Sequence, residues 1–295
     1  MQVAIAGSSG LIGSALVTAL ESTGHSVRRL VRREVSGPGE YSWDPETFGV
    51  PDHALDGVDA VVSLGGVGVG DQRWTGRFKQ ELRDSRITPT TVLAEAVRDA
   101  GVPTLISASA TGFYGDTGPR VATETDGPGA GFLADLTCDW EAAATDDAGP
   151  DTRVVLLRTA PVIAPHGGLL GRLRPLFRLG LGGSIGNGRQ YFSWISLVDE
   201  VRAIEFLLDS TIAGPVNLCT PAAIHFATFV DALGRSLHRP TLLGVPRFAA
   251  RAVGGDMIEE MVLFSQRVAP GVLTDNGFTF THPTIAEALE YANAR

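Results

Sequence analysis

A glycine-rich turn directly after a short apolar run is the feature that most limits how this chain can fold. Residues 3–6 are apolar, and a helical pattern opens at Ser14. A strand, a tight turn and a helix in this order bring main-chain N–H groups and the positive end of the helix to a phosphate. A glycine-rich loop without a ligand is the alternative. The pattern predicts a dinucleotide diphosphate site at Gly7, Ser8, Ser9, Gly10, Leu11, Ile12 and Gly13.

Strand-like and helix-like segments alternate through the first half of the chain, as in βαβ units. The fold class predicted is α/β, a doubly wound parallel sheet of the Rossmann type. We expect a cofactor domain over 1–165, with part of 190–220 returning to it, and a smaller C-terminal substrate-side region over 166–295. Strands are expected at 3–6, 27–31, 60–64, 104–107, 154–157 and 215–218. Helices are expected at 14–23, 77–100, 132–148, 169–181, 198–209, 226–237, around 256–267 and from about 283, with 36–57 and 115–130 as loops.

Composition excludes several classes of function. The formal net charge of −9 argues against a broad nucleic-acid surface. No apolar run approaches the roughly 20 residues that span a bilayer, and a strand expected from residue 3 leaves no room for a signal peptide. Two cysteines cannot form a disulfide framework, and the six histidines show no metal spacing. We expect a cytoplasmic protein with a small-molecule ligand and without nucleic acid, membrane or metal.

The end of the second strand indicates which dinucleotide is bound. An acidic residue there usually binds the 2′-hydroxyl of NAD, whereas this chain has Arg32 and Arg33, with no acid before Glu34. Two guanidinium groups suit a 2′-phosphate through charge-assisted hydrogen bonds. NADP(H) is therefore favoured over NAD(H). The alternative is a solvated pair of surface arginines in a protein that binds NAD.

Several motifs together carry a family resemblance. They are the turn at 7–13, Leu64-Gly65-Gly66 after the third strand and residues 107–116 after the fourth. The chain resembles the extended, epimerase-like branch of the short-chain dehydrogenase/reductase superfamily. More narrowly it resembles the "epimerase family" group that includes short-chain dehydrogenase family 39U. The narrower match rests on residues 73–75, 79, 84–87, 132–134, 140–143, 179–183, 186–190 and 194–195, and on 245–292, which resembles that group's small terminal domain.

The catalytic pair usual in this superfamily is missing. That pair is a tyrosine with a lysine four residues later, which moves a proton while hydride passes to or from the nicotinamide. None of the four tyrosines has a lysine at that spacing. Aligned on Glu141, Leu133 takes the tyrosine place and Thr137 the lysine place. Since leucine cannot exchange a proton, the standard mechanism is absent.

The resemblance implies roles for other residues. Ser109 is expected to polarise a substrate carbonyl, with strand-end hydrogen bonding as the alternative for it and for Ser107. Tyr114 is the best remaining phenolic proton donor, with a structural role as the alternative. Cofactor contacts are expected from Leu64, Gly65, Gly66, Ser107, Ala108, Glu141, Thr159, Pro161 and Val162. Substrate contacts are expected from Arg73, Trp74, Arg189 and Gln190, with a solvated helix face as the alternative for Arg73.

Two functions from different classes remain. The first is an NADP(H)-dependent oxidoreductase or epimerase acting on a small or nucleotide-linked polar substrate. The second is a catalytically silent NADP(H)-binding sensor or regulatory protein, which the lost tyrosine and lysine favour. An NAD-linked dehydratase fits less well because its acid/base pair is lacking. Relatives often pair through two helices per subunit, here those at 77–100 and 132–148, so a homodimer is expected.

Overall fold

The computed structural model describes residues 1–294, apart from the side chains of residues 52 and 253. The strands are β1 (Gln2–Ala6), β2 (Ser26–Val31), β3 (Glu40–Ser42), β4 (Ala60–Ser63), β5 (Thr104–Ala110), β6 (Arg153–Thr159), β7 (Val162–Ile163), β8 (Gly183–Ile185), β9 (Tyr191–Phe192), β10 (Ile195–Ser196), β11 (Gly214–Leu218), β12 (Ile224–His225) and β13 (Leu243–Val245). The helices are α1 (Leu11–Ser22), α2 (Gly76–Asp99), α3 (Phe132–Thr145), α4 (Gly168–Arg178), α5 (Leu197–Leu208), α6 (Phe226–Ser236), α7 (Arg247–Ile258), α8 (Gly271–Asp275) and α9 (Ile285–Asn293).

The central sheet confirms the predicted doubly wound α/β fold. Over the described residues it has seven strands in the order β11-β6-β5-β4-β1-β2-β3. The pairs β5–β4, β4–β1, β1–β2 and β2–β3 are parallel. The chain starts at β1, runs to the β3 edge and then returns to β4. This reversal between β1 and β4 separates the connections at the carboxyl ends of the two strands, which is where sheets of this type bind ligands.

Two compact units divide the chain. The first comprises Met1–Ser109, Leu136–Leu157 and Val201–Pro215, and the second comprises Ala110–Asp135, Arg158–Glu200 and Val216–Arg295. The units alternate along the sequence, because the chain passes from the first unit to the second and back twice before it ends in the second. The division expected at residue 165 stays a prediction.

The core of the first unit explains why its strands form. Val3, Ala4 and Ile5 have no exposed surface, as is typical of a parallel strand covered on both faces. On α2, Leu82, Leu93 and other apolar residues face inward along one stripe. The helix starts at Thr75, whose hydroxyl accepts the N–H of Phe78 at 3.2 Å, the usual role of an N-cap threonine.

The second unit is fixed around the start of α5. Ser196 Oγ accepts the N–H of Asp199 at 3.1 Å and donates to its carboxylate at 3.0 Å. The same carboxylate accepts the N–H groups of Thr281 and His282 at 2.7 and 2.9 Å. Asp199 therefore orients its helix and also ties the C-terminal segment to it. Trp194 is fully buried in the adjacent core.

Three expectations about local structure were wrong. Helix α1 begins at Leu11 rather than at Ser14, because Gly10 is already the extended N-cap residue. The segment 36–57, expected to be irregular, contains the edge strand β3. The helix expected around 256–267 lies earlier, as α7, with a π-helical turn at Glu259–Leu263 and extended backbone from Phe264.

Candidate functional site

The turn after β1 has room for backbone only. Gly7 has φ +83°, a region that favours glycine, and a Cβ there would lie 2.8 Å from the carbonyl carbon of Leu64. A Cβ on Gly13 would lie 2.2 Å from the oxygen of Gly7. The turn is closed by the N–H of Gly10, which donates to Gly7 O at 3.0 Å. No side chain caps the helix N-terminus at Gly10, so the first turn of α1 can offer N–H groups to an anion.

A cavity of about 290 Å³ opens beside this turn. The structure brings six of the predicted cofactor residues to its wall, namely Gly7, Ser8, Ser9, Arg32, Arg33 and Gly65. A second cavity of about 590 Å³ shares Arg32, Ser85 and Pro89 with the first. Ser63 also lines the smaller cavity, and its register partner on β5 is Ser107, which is fully buried. Glycine backbone, hydroxyl groups and arginines around a narrow cavity fit the diphosphate and ribose of a dinucleotide.

The two arginines after β2 have different surroundings. Arg33 is paired with Glu40 through both terminal nitrogens, at 2.9 and 2.6 Å. This pair holds the pKa of Glu40 down to about 2, chiefly through the Arg33 hydrogen bond. Arg32 is exposed and lines both cavities. The pKa of Asp44 is lowered chiefly by the hydrogen bond from the N–H of Glu46, and the charge of Arg32 lowers it further. Arg32 is thus the arginine that stands open to a ligand.

A buried cation supports the loop after β4. Arg86 on α2 donates from Nη2 to Val67 O at 2.8 Å, and its guanidinium lies over the Trp140 ring at 5.2 Å. Burial lowers the pKa of Arg86 to about 10, so the group keeps its charge at neutral pH. Gly66 has φ +151° and would place a Cβ 3.2 Å from Arg86 Cζ. The glycine therefore lets this loop lie against the arginine.

Ser109 is hydrogen-bonded to a carboxylate. Its Oγ donates to Glu141 Oε1 at 2.5 Å, and both side chains are at least nine-tenths buried. Ser109 is the next-to-last residue of β5, which runs to Ala110 instead of ending at the expected residue 107. Ser107, Ala108 and Ser109 therefore lie within the strand. The pair joins a predicted catalytic residue to a residue predicted to contact the cofactor.

The positions of the missing catalytic pair both lie on α3 and offer no acid or base. Leu133 is half-buried and Thr137 is buried. Glu260 accepts the main-chain N–H groups of Phe132 and Leu133 at 2.9 and 2.8 Å. A carboxylate at the start of a helix stabilises the unpaired N–H groups there. This capping glutamate was not found from the sequence, because it is distant in the chain from the helix it caps.

Tyr114 is enclosed. Its hydroxyl donates to Asn217 Oδ1 at 2.7 Å and accepts from Arg158 Nη1 at 2.9 Å, and the residue is 1% exposed. Burial raises the pKa of Tyr114 to about 12, against the opposing effect of Arg158. Phe113 stacks on the same arginine, whose Cζ lies 3.4 Å from the ring centroid. These contacts favour the structural alternative for Tyr114 over proton donation.

The predicted cofactor residues after β6 lie beside a buried acid. Thr159 Oγ1 donates to Glu200 Oε1 at 2.9 Å. Glu200 has no exposed surface, and its Oε2 has no hydrogen-bond partner in the structure. Burial raises the pKa of Glu200 to about 8. Thr159, Pro161 and Val162 are themselves only half-buried.

The predicted substrate residues fall into two groups. Arg73 and Arg189 are exposed. The other two have local partners: Trp74 donates its indole N–H to Val69 O at 2.8 Å. Gln190 Nε2 donates to Ile185 O and Val262 O at 3.3 and 3.1 Å. Gln190 therefore joins its own loop to the segment at Val262, whereas the two arginines retain exposed side chains. All four substrate roles stay predictions.

The described part of the chain contains no group of three or more His, Cys, Asp or Glu side chains placed to hold a metal ion. No helix within residues 1–294 has the length and apolar character needed to cross a bilayer.

Comparison with known proteins places the chain. Residues 3–219 match the NAD dependent epimerase/dehydratase family, and residues 245–292 match a domain of unknown function. An epimerase family protein of Mycobacterium bovis is 54% identical over 294 residues, covering 99% of this chain and 98% of that protein. The chain belongs to the NAD-dependent epimerase/dehydratase family. The resemblance inferred from the sequence motifs is thereby confirmed.

Two solved structures of the epimerase/dehydratase family are similar to this protein. The crystal structure of human epimerase family protein SDR39U1 with NADPH is 30% identical and has a TM-score of 0.90, covering 100% of both chains. The nucleoside-diphosphate sugar epimerase of Corynebacterium glutamicum is 34% identical with a TM-score of 0.83, covering 99% of this chain and 58% of that one. Both likenesses extend over essentially the whole of the present chain.

Proposed function

We propose that the protein is an NADP(H)-dependent oxidoreductase or epimerase acting on a small or nucleotide-linked polar substrate. The observation that carries this proposal is the glycine turn with its adjoining cavity, where Gly7 and Gly13 leave room only for backbone. NADPH in the human relative supports the choice of cofactor. The epimerase of C. glutamicum, named for nucleoside-diphosphate sugars, supports a nucleotide-linked substrate.

The first unit provides the residues proposed to bind the diphosphate and the 2′-phosphate of the cofactor. Ser8 and Ser9 line the cavity, and the uncapped N-terminus of α1 follows them directly, so these main-chain N–H groups suit the diphosphate. Arg32 supplies a positive charge for the 2′-phosphate. When bound, the nicotinamide gives or takes a hydride. Thr159, Pro161 and Val162 are proposed to contact the nicotinamide end, as in extended relatives.

Ser109 and Glu141 are proposed to carry the proton step. In the direction of alcohol oxidation, the substrate hydroxyl gives its proton to Ser109 Oγ while Ser109 gives its own to Glu141, across the 2.5 Å hydrogen bond. Carbonyl reduction runs the same transfer backwards. Proton transfer by a positioned group contributes roughly 10²–10⁴-fold to a rate. The pair would thus replace the absent tyrosine and lysine.

A catalytically silent NADP(H) sensor is the second candidate. It is favoured by Leu133 and Thr137 at the positions of the usual pair, and by the enclosed hydroxyl of Tyr114. In such a protein the glycine turn and Arg32 would still bind the cofactor. The two candidates therefore differ only in turnover.

Titration of the protein with NADPH and with NADH, followed by nicotinamide fluorescence, tests the cofactor proposal. We expect tighter binding of NADPH, and a loss of that preference in Arg32→Ala. Arg83→Ala is the matched control, because Arg83 lies on α2 and is paired with Asp139. Equal affinities for both nucleotides, unchanged by Arg32→Ala, would refute the 2′-phosphate assignment.

A screen of carbonyl compounds and nucleotide sugars, followed at the nicotinamide absorbance, tests turnover. Oxidation of NADPH that is lost in Ser109→Ala supports the enzyme. Tight NADPH binding without turnover on any compound supports the sensor.

A homodimer formed by α2 and α3 and a cytoplasmic location are further proposals, by analogy with extended relatives. Analytical ultracentrifugation of the purified protein tests the homodimer.

A further inference from the structure

Four hydrogen-bond donors converge on the carboxylate of Glu40 at the start of the edge strand β3. Arg33 contributes Nη1 and Nη2, at 2.9 and 2.6 Å. Ser36 contributes its main-chain N–H at 2.8 Å and its hydroxyl at 3.0 Å. The side chain of Glu40 is only 9% exposed although that of Arg33 is 53% exposed. The carboxylate therefore lies inside a set of donors, not at the end of a loose surface pair.

This donor set has the chemistry of a phosphate site. A guanidinium fork binds the oxygens of carboxylates and phosphates in the same two-point geometry. A main-chain N–H in a turn and a serine hydroxyl are further common phosphate donors. All four belong to the segment that follows β2, where dinucleotide-binding folds bind the 2′ position of the adenosine ribose. Arg33 also lines the cavity beside the glycine turn.

Glu40 is an anion at every physiological pH. The hydrogen bond from Arg33 and the N–H of Ser36 hold its pKa down to about 2. The arrangement holds a negative charge against the guanidinium of Arg33. Its consequence is that the charge of Arg33 is neutralised, while Arg32, which lines both cavities, has no such two-point carboxylate pair within residues 1–294.

We propose that Glu40 is an internal competitor for the 2′-phosphate of NADP(H), occupying the Arg33 and Ser36 donors until the phosphate displaces it. The proposal rests on NADP(H) binding as the proposed function. It makes Glu40 a specificity-determining residue. The competing carboxylate weakens the binding of ligands that carry a 2′-phosphate and does not change the binding of ligands without one. Arg32 then supplies the positive charge that is always open to the ligand.

Calorimetric titration with 2′,5′-ADP and with 5′-ADP tests the proposal on the full chain. In Glu40→Gln we expect 2′,5′-ADP to bind about tenfold more tightly, since Arg33 and Ser36 are released, with no change for 5′-ADP. Adding Arg33→Gln to this variant should remove the gain. Glu34→Gln is the matched control, because Glu34 is exposed in the same segment and its substitution removes the same negative charge.

Three results would overturn the proposal. One is unchanged or weaker binding of 2′,5′-ADP by folded Glu40→Gln, and another is an equal gain in Glu34→Gln. The third needs no variant: a crystal structure of the wild-type protein with 2′,5′-ADP in which Arg33 still pairs with Glu40. If the wild-type protein binds neither NADPH nor 2′,5′-ADP, the proposed function itself fails. That result differs from binding of 2′,5′-ADP with an affinity that Glu40→Gln does not change, which refutes only the role of Glu40.

Discussion

Thr159 Oγ1 lies 2.9 Å from Glu200 Oε1 and donates a hydrogen bond to it, whereas Glu200 Oε2 has no hydrogen-bond partner among the described residues. An acid with no exposed surface and one unpaired oxygen is costly to ionise. Burial accordingly raises the pKa of Glu200 to about 8. The group is neutral at pH 7 in the folded protein, whereas in the unfolded chain it ionises near its ordinary value of 4.5.

The pKa difference predicts how stability depends on pH. Between about pH 4.5 and 8 the folded protein holds one proton more than the unfolded chain, so this group's contribution falls as pH rises. Glu200→Gln removes that dependence. We expect its free energy of unfolding, relative to wild type, to rise across this range by up to about 5 kcal/mol.

Urea unfolding at pH 4.5, 6, 7 and 8 measures this difference. Glu290→Gln is the control, since Glu290 is exposed on α9. We expect Glu290→Gln to show no comparable trend. Parallel pH profiles for wild type and Glu200→Gln would contradict the prediction.

Gly13→Ala tests the glycine turn. The added methyl would lie 2.2 Å from Gly7 O, so the turn or α1 must shift. We expect a loss of about 1–3 kcal/mol in the free energy of unfolding and a loss of NADPH affinity. Gly76→Ala is the control, because nothing lies within 4 Å of a Cβ there. Urea unfolding and NADPH fluorescence report the two effects, and a Gly13→Ala protein that matches wild type in both would contradict the account.

The sequence predicted the fold better than its details. Apolar runs such as residues 3–6 and the glycine spacing after them follow from local chemistry, so the strands and the dinucleotide turn could be predicted. The edge strand β3 could not, because its pairing with β2 compensates for a segment rich in Gly, Pro and Asp. Likewise the sequence did not predict the kink at Gly255, with φ +57°, which lies within α7 directly before the helix expected around 256–267.

Side-chain partners were the least predictable part of the site. Glu40 is seven residues from Arg33 in the sequence, and Glu260 is 127 residues from Leu133. No local sequence pattern predicts either contact. Arg33 therefore looked as open as Arg32 in the sequence. The enclosure of Tyr114 by Asn217 and Arg158 is equally a product of tertiary structure.

Glu260→Gln tests the cap on α3. The carboxylate accepts the N–H groups of Phe132 and Leu133, one on each oxygen. Glutamine keeps the size but loses the charge and one acceptor, so we expect a loss of about 1–2 kcal/mol in the free energy of unfolding. Urea unfolding measures it, with Glu34→Gln as an exposed control. Equal stability of the two variants would mean that the cap contributes nothing.

Removal of the Ser109 hydroxyl is predicted to lower kcat, whereas removal of the Tyr114 hydroxyl is predicted to lower the free energy of unfolding. Ser109→Ala breaks the bond to Glu141, so on a substrate found by screening we expect kcat to fall about 10²–10⁴-fold with little change in NADPH affinity. Tyr114→Phe instead leaves buried Asn217 and Arg158 without one partner each. We expect it to cost about 1–3 kcal/mol of stability with kcat nearly unchanged. Steady-state kinetics and urea unfolding separate the two outcomes. The reverse pattern, with turnover lost only in folded Tyr114→Phe, would make the tyrosine the proton donor after all.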